Sequence, residues 1–236
     1  MTPEEAYEEA RRRISEAEKT AGVELDFGGL EVLNRLPPEL QQLSSLQQLN
    51  LSWCTRVVDF YLLTELVSLQ RLKLWGCKRL SDLRPIANLT SLQQLNISEC
   101  SNLRDLGPLT NLTSLQQLDI QWCDQLSDIS PLANLTSLKV LNLAWCKQLV
   151  DFSPLASLTS LQQLNLAGHE LDYSPCCQLD NLSPLKNLTA LTQLNLFGCI
   201  KVSDFSLLAS LTSLQVLDLG RCSQLRDLGP LAGQAA

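Results

Sequence analysis

The chain has a single histidine and a single methionine in 236 residues, and aromatic residues make up only 5 %. Charged residues are also scarce, at 18 %, and positive charge is the scarcer sign, with 18 Lys and Arg against 25 Asp and Glu. The net charge of −7 excludes the broad basic face that a nucleic-acid binder needs to offset phosphate. No apolar run approaches the ~20 residues of a membrane-spanning helix. The opening MTPEEAYEEA is acidic and polar, which does not read as a secretory leader. The motifs GxxxxGK(S/T), HExxH, GxSxG and CxxC are all missing. With one histidine and no pair of carboxylates in contrasting environments, the expectation is a protein that is not an enzyme and takes no cofactor or metal. Disorder is excluded too, because 45 % of the chain is hydrophobic.

What the chain does have is leucine, 55 residues, far above ordinary usage. Such excess in a soluble composition points to repetition. The period is 23. Units start at Leu46, Leu69, Leu92, Leu115, Leu138, Leu161, Leu191 and Leu214, and the step from Leu161 to Leu191 carries seven extra residues. A degenerate unit over 23–45 precedes them and includes LPPELQQLSSL. The shared text is L-x-x-L-x-L-x-x-C-x-x-L-x-D-x-x-P-L-x-x-L-x-S. L-x-L alternates with period two, which puts both leucines on one face of a short strand. Leu109, Leu112 and Leu115 are spaced by three, which suits a 3₁₀ turn better than an α-helix. Pro108 fits the start of that turn, and Ser130 or Ser153 before the proline reads as its cap. One unit cannot bury its own leucines, but stacked units can.

This text resembles the leucine-rich repeat, over roughly residues 23–231. PLANLTSLK and its equivalents are similar to internalin-type bacterial repeats, with one extra residue per repeat and Cys where many families have Asn. The leader and LPPEL resemble bacterial leucine-rich repeat proteins with a helical N-cap. Some of those carry a Roc–COR GTPase module, and others gain ubiquitin-ligase activity from a C-terminal domain; neither module is read in this sequence. The resemblance implies an α/β right-handed solenoid, with a parallel β-sheet on the concave face and short 3₁₀ or turn segments on the convex face. Residues 1–22 are expected to form a capping helix and 23–236 the repeat domain. Thr2-Pro3-Glu4-Glu5 reads as a capping box, Tyr7, Ala10, Ile14, Ala17 and Ala21 as the apolar stripe, and Gly22 as the stop.

Stacking turns each repeat position into a column. Position 9 holds Cys54, Cys77, Cys100, Cys123, Cys146, His169, Cys199 and Cys222. These read as reduced, buried thiols touching loop carbonyls, which favours a reducing, cytoplasmic setting. Position 14, from Asp59 to Asp227, reads as an Asx turn. Its stacked carboxylates predict a fold sensitive to acid. Positions 3, 5 and 7 are expected to be exposed, with the Gln and Asn columns at 3 and 5 bonding along the stack. Asn-Leu-Thr matches at Asn88, Asn111, Asn134 and Asn187 are by-products of the repeat.

All four tryptophans, Trp53, Trp75, Trp122 and Trp145, fall at positions 7 and 8. A leucine core does not call for them there, and large aromatics serve as binding anchors. The long sixth unit adds a loop on the same edge, with His169, Tyr173, Cys176 and Cys177. The expected function is a scaffold that binds a protein or peptide through the concave face and its strand-end edge. The candidate partner-binding residues are Trp53, Arg71, Lys73, Trp75, Glu99, Asp119, Gln121, Trp122, Asn142, Trp145, His169, Tyr173 and Phe197. The alternatives are a sensor fragment of a larger signalling protein or effector, GTPase- or ubiquitin-ligase-linked, or a designed repeat array. No nucleic-acid or membrane partner is expected. LGPLAGQAA shows no amphipathic cap, so an end-to-end homodimer through the last repeat is a further expectation.

Overall fold

Helix α1 spans Pro3–Lys19 and opens on the expected capping box. The Glu5 amide donates to the Thr2 hydroxyl, and the Thr2 amide donates to the Glu5 carboxylate at 2.7 Å. Both satisfy amides that a helix start leaves without partners. At the other end the Gly22 amide donates to the Ala17 carbonyl at 2.8 Å. The buried face is Ala6, Ala10, Ile14 and Ala17, with Tyr7 half-buried beside it. The small alanines let α1 pack close against the first repeat. Arg11 pairs with Glu39, and Arg13 donates to the Asp26 carbonyl at 2.7 Å, tying the helix to the sheet. The computed structural model describes residues 1–20, 22–168, 178–226 and 229.

Nine strands follow, each of three residues: β1 (Glu24–Asp26), β2 (Gln48–Asn50), β3 (Arg71–Lys73), β4 (Gln94–Asn96), β5 (Gln117–Asp119), β6 (Val140–Asn142), β7 (Gln163–Asn165), β8 (Gln193–Asn195) and β9 (Val216–Asp218). They form one parallel sheet in chain order, and every pair keeps like repeat positions opposite each other, as in Gln94 with Gln117 and Leu95 with Leu118. The degenerate unit supplies β1, so it is a full member of the stack. Between strands the chain returns through 3₁₀ segments such as Gly107–Leu109 and Ser153–Ser157.

The core is a set of columns. In the unit from Leu92, the residues Leu92, Leu95, Ile97, Cys100, Leu103, Leu106, Leu109 and Leu112 are at most 2 % exposed. Each caps the same residue of the unit before it, so burial is shared between neighbours. At the far end the columns thin: Leu214, Leu217, Leu219 and Leu225 are only half-buried and Val216 is exposed.

The position-14 carboxylates make the Asx turn. Asp105 accepts the Gly107 amide at 2.7 Å, Asp151 the Ser153 amide at 2.8 Å and Asn181 the Ser183 amide at 3.0 Å. This corrects the serine caps: Ser130 and Ser153 are the first residues of their 3₁₀ segments, which have no side-chain cap, and their amides donate to the Asx turns of Asp128 and Asp151.

Candidate functional site

The short strands decide which side chains reach the surface. A strand ends at position 5, and positions 7 and 8 lie in the tight turn beyond it. Position 7 is therefore mostly not the exposed strand position the alternation suggests. Ser52, Ser98, Ala144 and Ala167 are buried there, while Gln121 and Phe197 are half-buried and Trp75 is 38 % exposed. Position 8 has positive φ at Trp53 (63°), Gly76 (71°), Glu99 (56°), Trp122 (60°), Trp145 (62°), Gly198 (72°) and Arg221 (57°). A tryptophan in that region is costly for the backbone, so its ring has to repay the strain.

The rings do so across the repeat boundary. Trp53 and Trp75 lie with centroids 5.2 Å apart, and Trp122 and Trp145 at 4.2 Å, both tilted. The Trp145 indole donates to the Gly168 carbonyl at 2.7 Å, and the Trp75 indole to Glu99 at 3.1 Å. Lys78 lies over the Trp53 ring at 5.9 Å and Arg221 over Phe197 at 5.7 Å. Trp53, Trp122 and Trp145 are half-buried in these clasps. Trp75 alone of the four offers a large exposed face.

Position 5 does more than bond along the stack, where the Asn142 side chain meets Asp119. The side chains of Asn50, Asn96, Asp119, Asn142, Asn165, Asn195 and Asp218 each accept the backbone amide two residues on, at 2.8–3.2 Å. They fasten their own turns. Bonding along the stack is also seen at position 3, where Gln48 donates to Glu24 and Arg71 to Gln48 at 3.4 Å.

Arg71, Lys73, Asp119 and Asn142 come together on the concave face, in a groove of about 280 Å³ that Gln94, Asn96, Gln117 and Val140 also line. Sequence reasoning missed Gln94, Asn96, Gln117 and Val140 as site residues, although positions 3 and 5 of three-residue strands necessarily share this face. Arg71 and Lys73 are exposed and pair with no acidic group among the described residues. Asp119 is half-buried, and burial pushes its carboxyl above the usual range, against the Gln121 amide and Asn142 side chain that favour its charge. Trp53, Trp75, Glu99, Gln121, Trp122, Trp145 and Phe197 form a second tier along the strand ends. His169 and Tyr173, with Cys176 and Cys177, lie outside the described residues.

The cysteine column is internal. The Cys77 thiol donates to the Leu51 carbonyl at 3.2 Å, Cys100 to Leu74 at 3.3 Å and Cys146 to Ile120 at 3.2 Å, each reaching the preceding repeat just past its strand. Burial pushes the Cys54 and Cys77 thiols up to about 12. Burial keeps these thiols protonated and enclosed, which disfavours the reactive thiolate. No group of metal-binding side chains occurs among the described residues, and no helix among them is long and apolar enough to cross a membrane.

Comparison with known proteins agrees with this architecture. The family pattern "Leucine Rich repeats (2 copies)" matches residues 90–134. Among solved structures, an internalin (inlF) from Listeria monocytogenes superposes with a TM-score of 0.70 at 28 % identity, over 90 % of this chain and 58 % of its own. An internalin C2 (inlC2) from the same organism gives 0.70 at 26 % identity, over 88 % of this chain and 89 % of its own. The leucine-rich repeat domain of the type III effector XCV3220 (XopL) gives 0.70 at 21 % identity, over 98 % and 79 %, a likeness of fold. The chain thus spans little more than half the length of the internalin (inlF) chain. No curated protein matches in sequence. The chain folds as a leucine-rich repeat solenoid. Its 23-residue repeats are internalin-like, carry Cys at position 9, and follow an N-terminal helical cap.

Proposed function

We propose that this protein is an interaction scaffold that binds a protein or peptide segment through its concave face, and that the face, rather than any reacting group, carries its function. Leucine-rich repeat folds commonly mediate protein–protein contacts and are typically non-enzymatic. The observation that carries the reading is the groove that gathers Arg71, Lys73, Asp119 and Asn142 from three strands, β3, β5 and β6. Their backbones are held by a continuous parallel sheet, and the turns after β5 and β6 by the side chains of Asp119 and Asn142. A surface ordered before binding loses little entropy on complex formation. The concave side chains are also the ones that the core columns leave free to vary.

The test is steric. Binders are selected from a random peptide library on the full chain. Gln117 is exposed in the middle of the groove, and Gln117→Trp should abolish their binding. Ser127→Trp, an exposed site before the 3₁₀ segment Ser130–Asn134, should leave it unchanged. Binding indifferent to Gln117→Trp would overturn the proposal.

A further inference from the structure

Lys73 breaks a rule that the other repeats keep. From β1 to β9, position 5 is Asp26, Asn50, Lys73, Asn96, Asp119, Asn142, Asn165, Asn195 and Asp218. Every one except Lys73 accepts the amide two residues on. An ammonium has no lone pair to accept with, so this repeat gives up a turn-fastening bond. Position 3 of the same strand departs as well, carrying Arg71 where β2, β4, β5, β7 and β8 carry Gln. Two cations therefore stand side by side on β3, facing the concave solvent, in a chain of net charge −7. Their neighbours on β2 and β4, Gln48, Asn50, Gln94 and Asn96, are all neutral. A local rule broken without a packing gain marks a place where something other than stability is served.

The groove's negative group is placed with equal economy. Asp119 stands where Asn96 and Asn142 stand on the flanking strands and makes the same turn bond. An amide would serve that bond without the desolvation that Asp119 incurs. No cation pairs with Asp119 among the described residues. One strand further on, Val140 replaces the position-3 Gln and adds an apolar contact on the same wall. From β3 onward the face thus reads, in spatial order, positive at β3, negative at β5 and apolar at β6, while on the other side Glu24 and Asp26 of β1 share a second groove with Arg71 and Lys73.

From this order we infer that the groove takes an extended segment of a partner protein that crosses the strands, with an acidic side chain over Arg71 and Lys73, a basic side chain over Asp119 and an apolar one against Val140. The inference rests on the concave-face reading above and specifies its ligand. Strands are ~4.8 Å apart, so β3 and β5 are separated by ~10 Å. A segment in the polyproline II conformation advances ~3.1 Å per residue with three residues per turn, which puts an acidic and a basic residue on the same face about three positions apart. The apolar residue follows one or two positions on. Opposite charges at that spacing fix the register of the segment, and a segment with both signs exchanged meets like charge at both points.

Peptides selected from the random library on the full chain, and lost on Gln117→Trp, provide the probe. The expected result is enrichment of an acidic and a basic residue about three apart. Arg71→Glu with Lys73→Glu should weaken a selected peptide at least about tenfold, and Asp119→Asn about threefold, both effects shrinking as salt is raised. Asp119→Asn keeps the turn acceptor, and Arg71 and Lys73 are exposed, so thermal melts should show all variants folded. If Gln117→Trp abolishes binding while the charge variants change it less than twofold, the face is a binding surface and the charge reading is wrong. If no selected binder depends on Gln117, both the surface and the charge reading fail.

Discussion

The Trp53 indole closes over Gly76, with its ring carbon 2.9 Å from the point a Cβ on that glycine would occupy. Gly76 sits at φ 71°, so it meets two demands at once, an unusual backbone and a covering ring. Phe197 covers Gly220 in the same way at 2.7 Å. The aromatic tier is thus partly a set of clasps between repeats.

Gly76→Ala should therefore cost more than Gly29→Ala, which shares positive φ, at 80°, but has nothing within 4 Å of the added Cβ. The left-handed backbone alone costs about 1–2 kcal/mol. Overpacking against the indole adds about 1–3 kcal/mol at Gly76. Urea denaturation of the two variants measures the difference. In a Trp53→Ala background the excess at Gly76 should disappear, and its persistence would mean the ring is not the obstacle.

The cysteine column should be silent to thiol reagents. In a Cys176→Ser, Cys177→Ser background, the seven column thiols should not react with an aromatic disulfide reagent at pH 8 in the native protein. All seven should react in denaturant. Their burial and raised pKa values leave almost no accessible thiolate. Rapid native labelling of any of them would contradict the packing described.

The Asx turns set an acid limit lower than their number in the sequence suggests. Donation from the Ser153 and Ser206 amides holds Asp151 and Asp204 below the ordinary value of 3.8, and the Arg84 side chain does the same for Asp82. On the capping helix, Arg12 and Arg13 hold Glu9 down to about 2. Carboxyls lowered in the folded state stabilise it above their unfolded values, and that stability is lost as pH falls through the folded ones. The melting temperature should hold from pH 7 to about pH 5 and fall below about pH 4. A fall already complete at pH 5 would point to a different group.

Asp119 has the opposite sign. Burial raises its pKa, so its charge destabilises the fold, and this penalty grows as pH rises from the unfolded value through the folded one. Asp119→Asn should raise the melting temperature at pH 7 and leave it nearly unchanged at pH 3. An equal gain at both pH values would mean that the benefit is packing rather than relief of a buried charge.

The repeat period, the helical cap with its box, the 3₁₀ returns and the thiol-to-carbonyl contacts were all legible, because each follows from a local pattern repeated many times. The capping helix shows the limit: Ala6 is fully buried, yet the stripe through Tyr7 passed it over, since small residues leave little trace in a periodicity. The concave groove was half legible. Arg71, Lys73, Asp119 and Asn142 were named, but strand length was overestimated. Three-residue strands stop before position 7, so Ser98 and Ala144 turn inward where alternation would have turned them out. The role of position 5 was out of reach, because a column of Asn looks the same whether it bonds along the stack or to its own turn.

That last role yields the sharpest stability prediction. Lys73→Asn restores an acceptor that the other strands have, for the amide of Trp75. A hydrogen bond of this kind contributes about 0.5–1.5 kcal/mol, and the gain should appear in urea denaturation. The same change removes one of the two cations from β3. A selected groove peptide should then bind more weakly to the more stable protein, the pattern expected where a residue is kept for recognition at the expense of the fold. Stabilisation with unchanged peptide affinity would leave Lys73 as a simple departure from the repeat and Arg71 as the sole basic contact. Destabilisation would show that the turn after β3, held by Trp53 and Trp75, does not need what the other turns use.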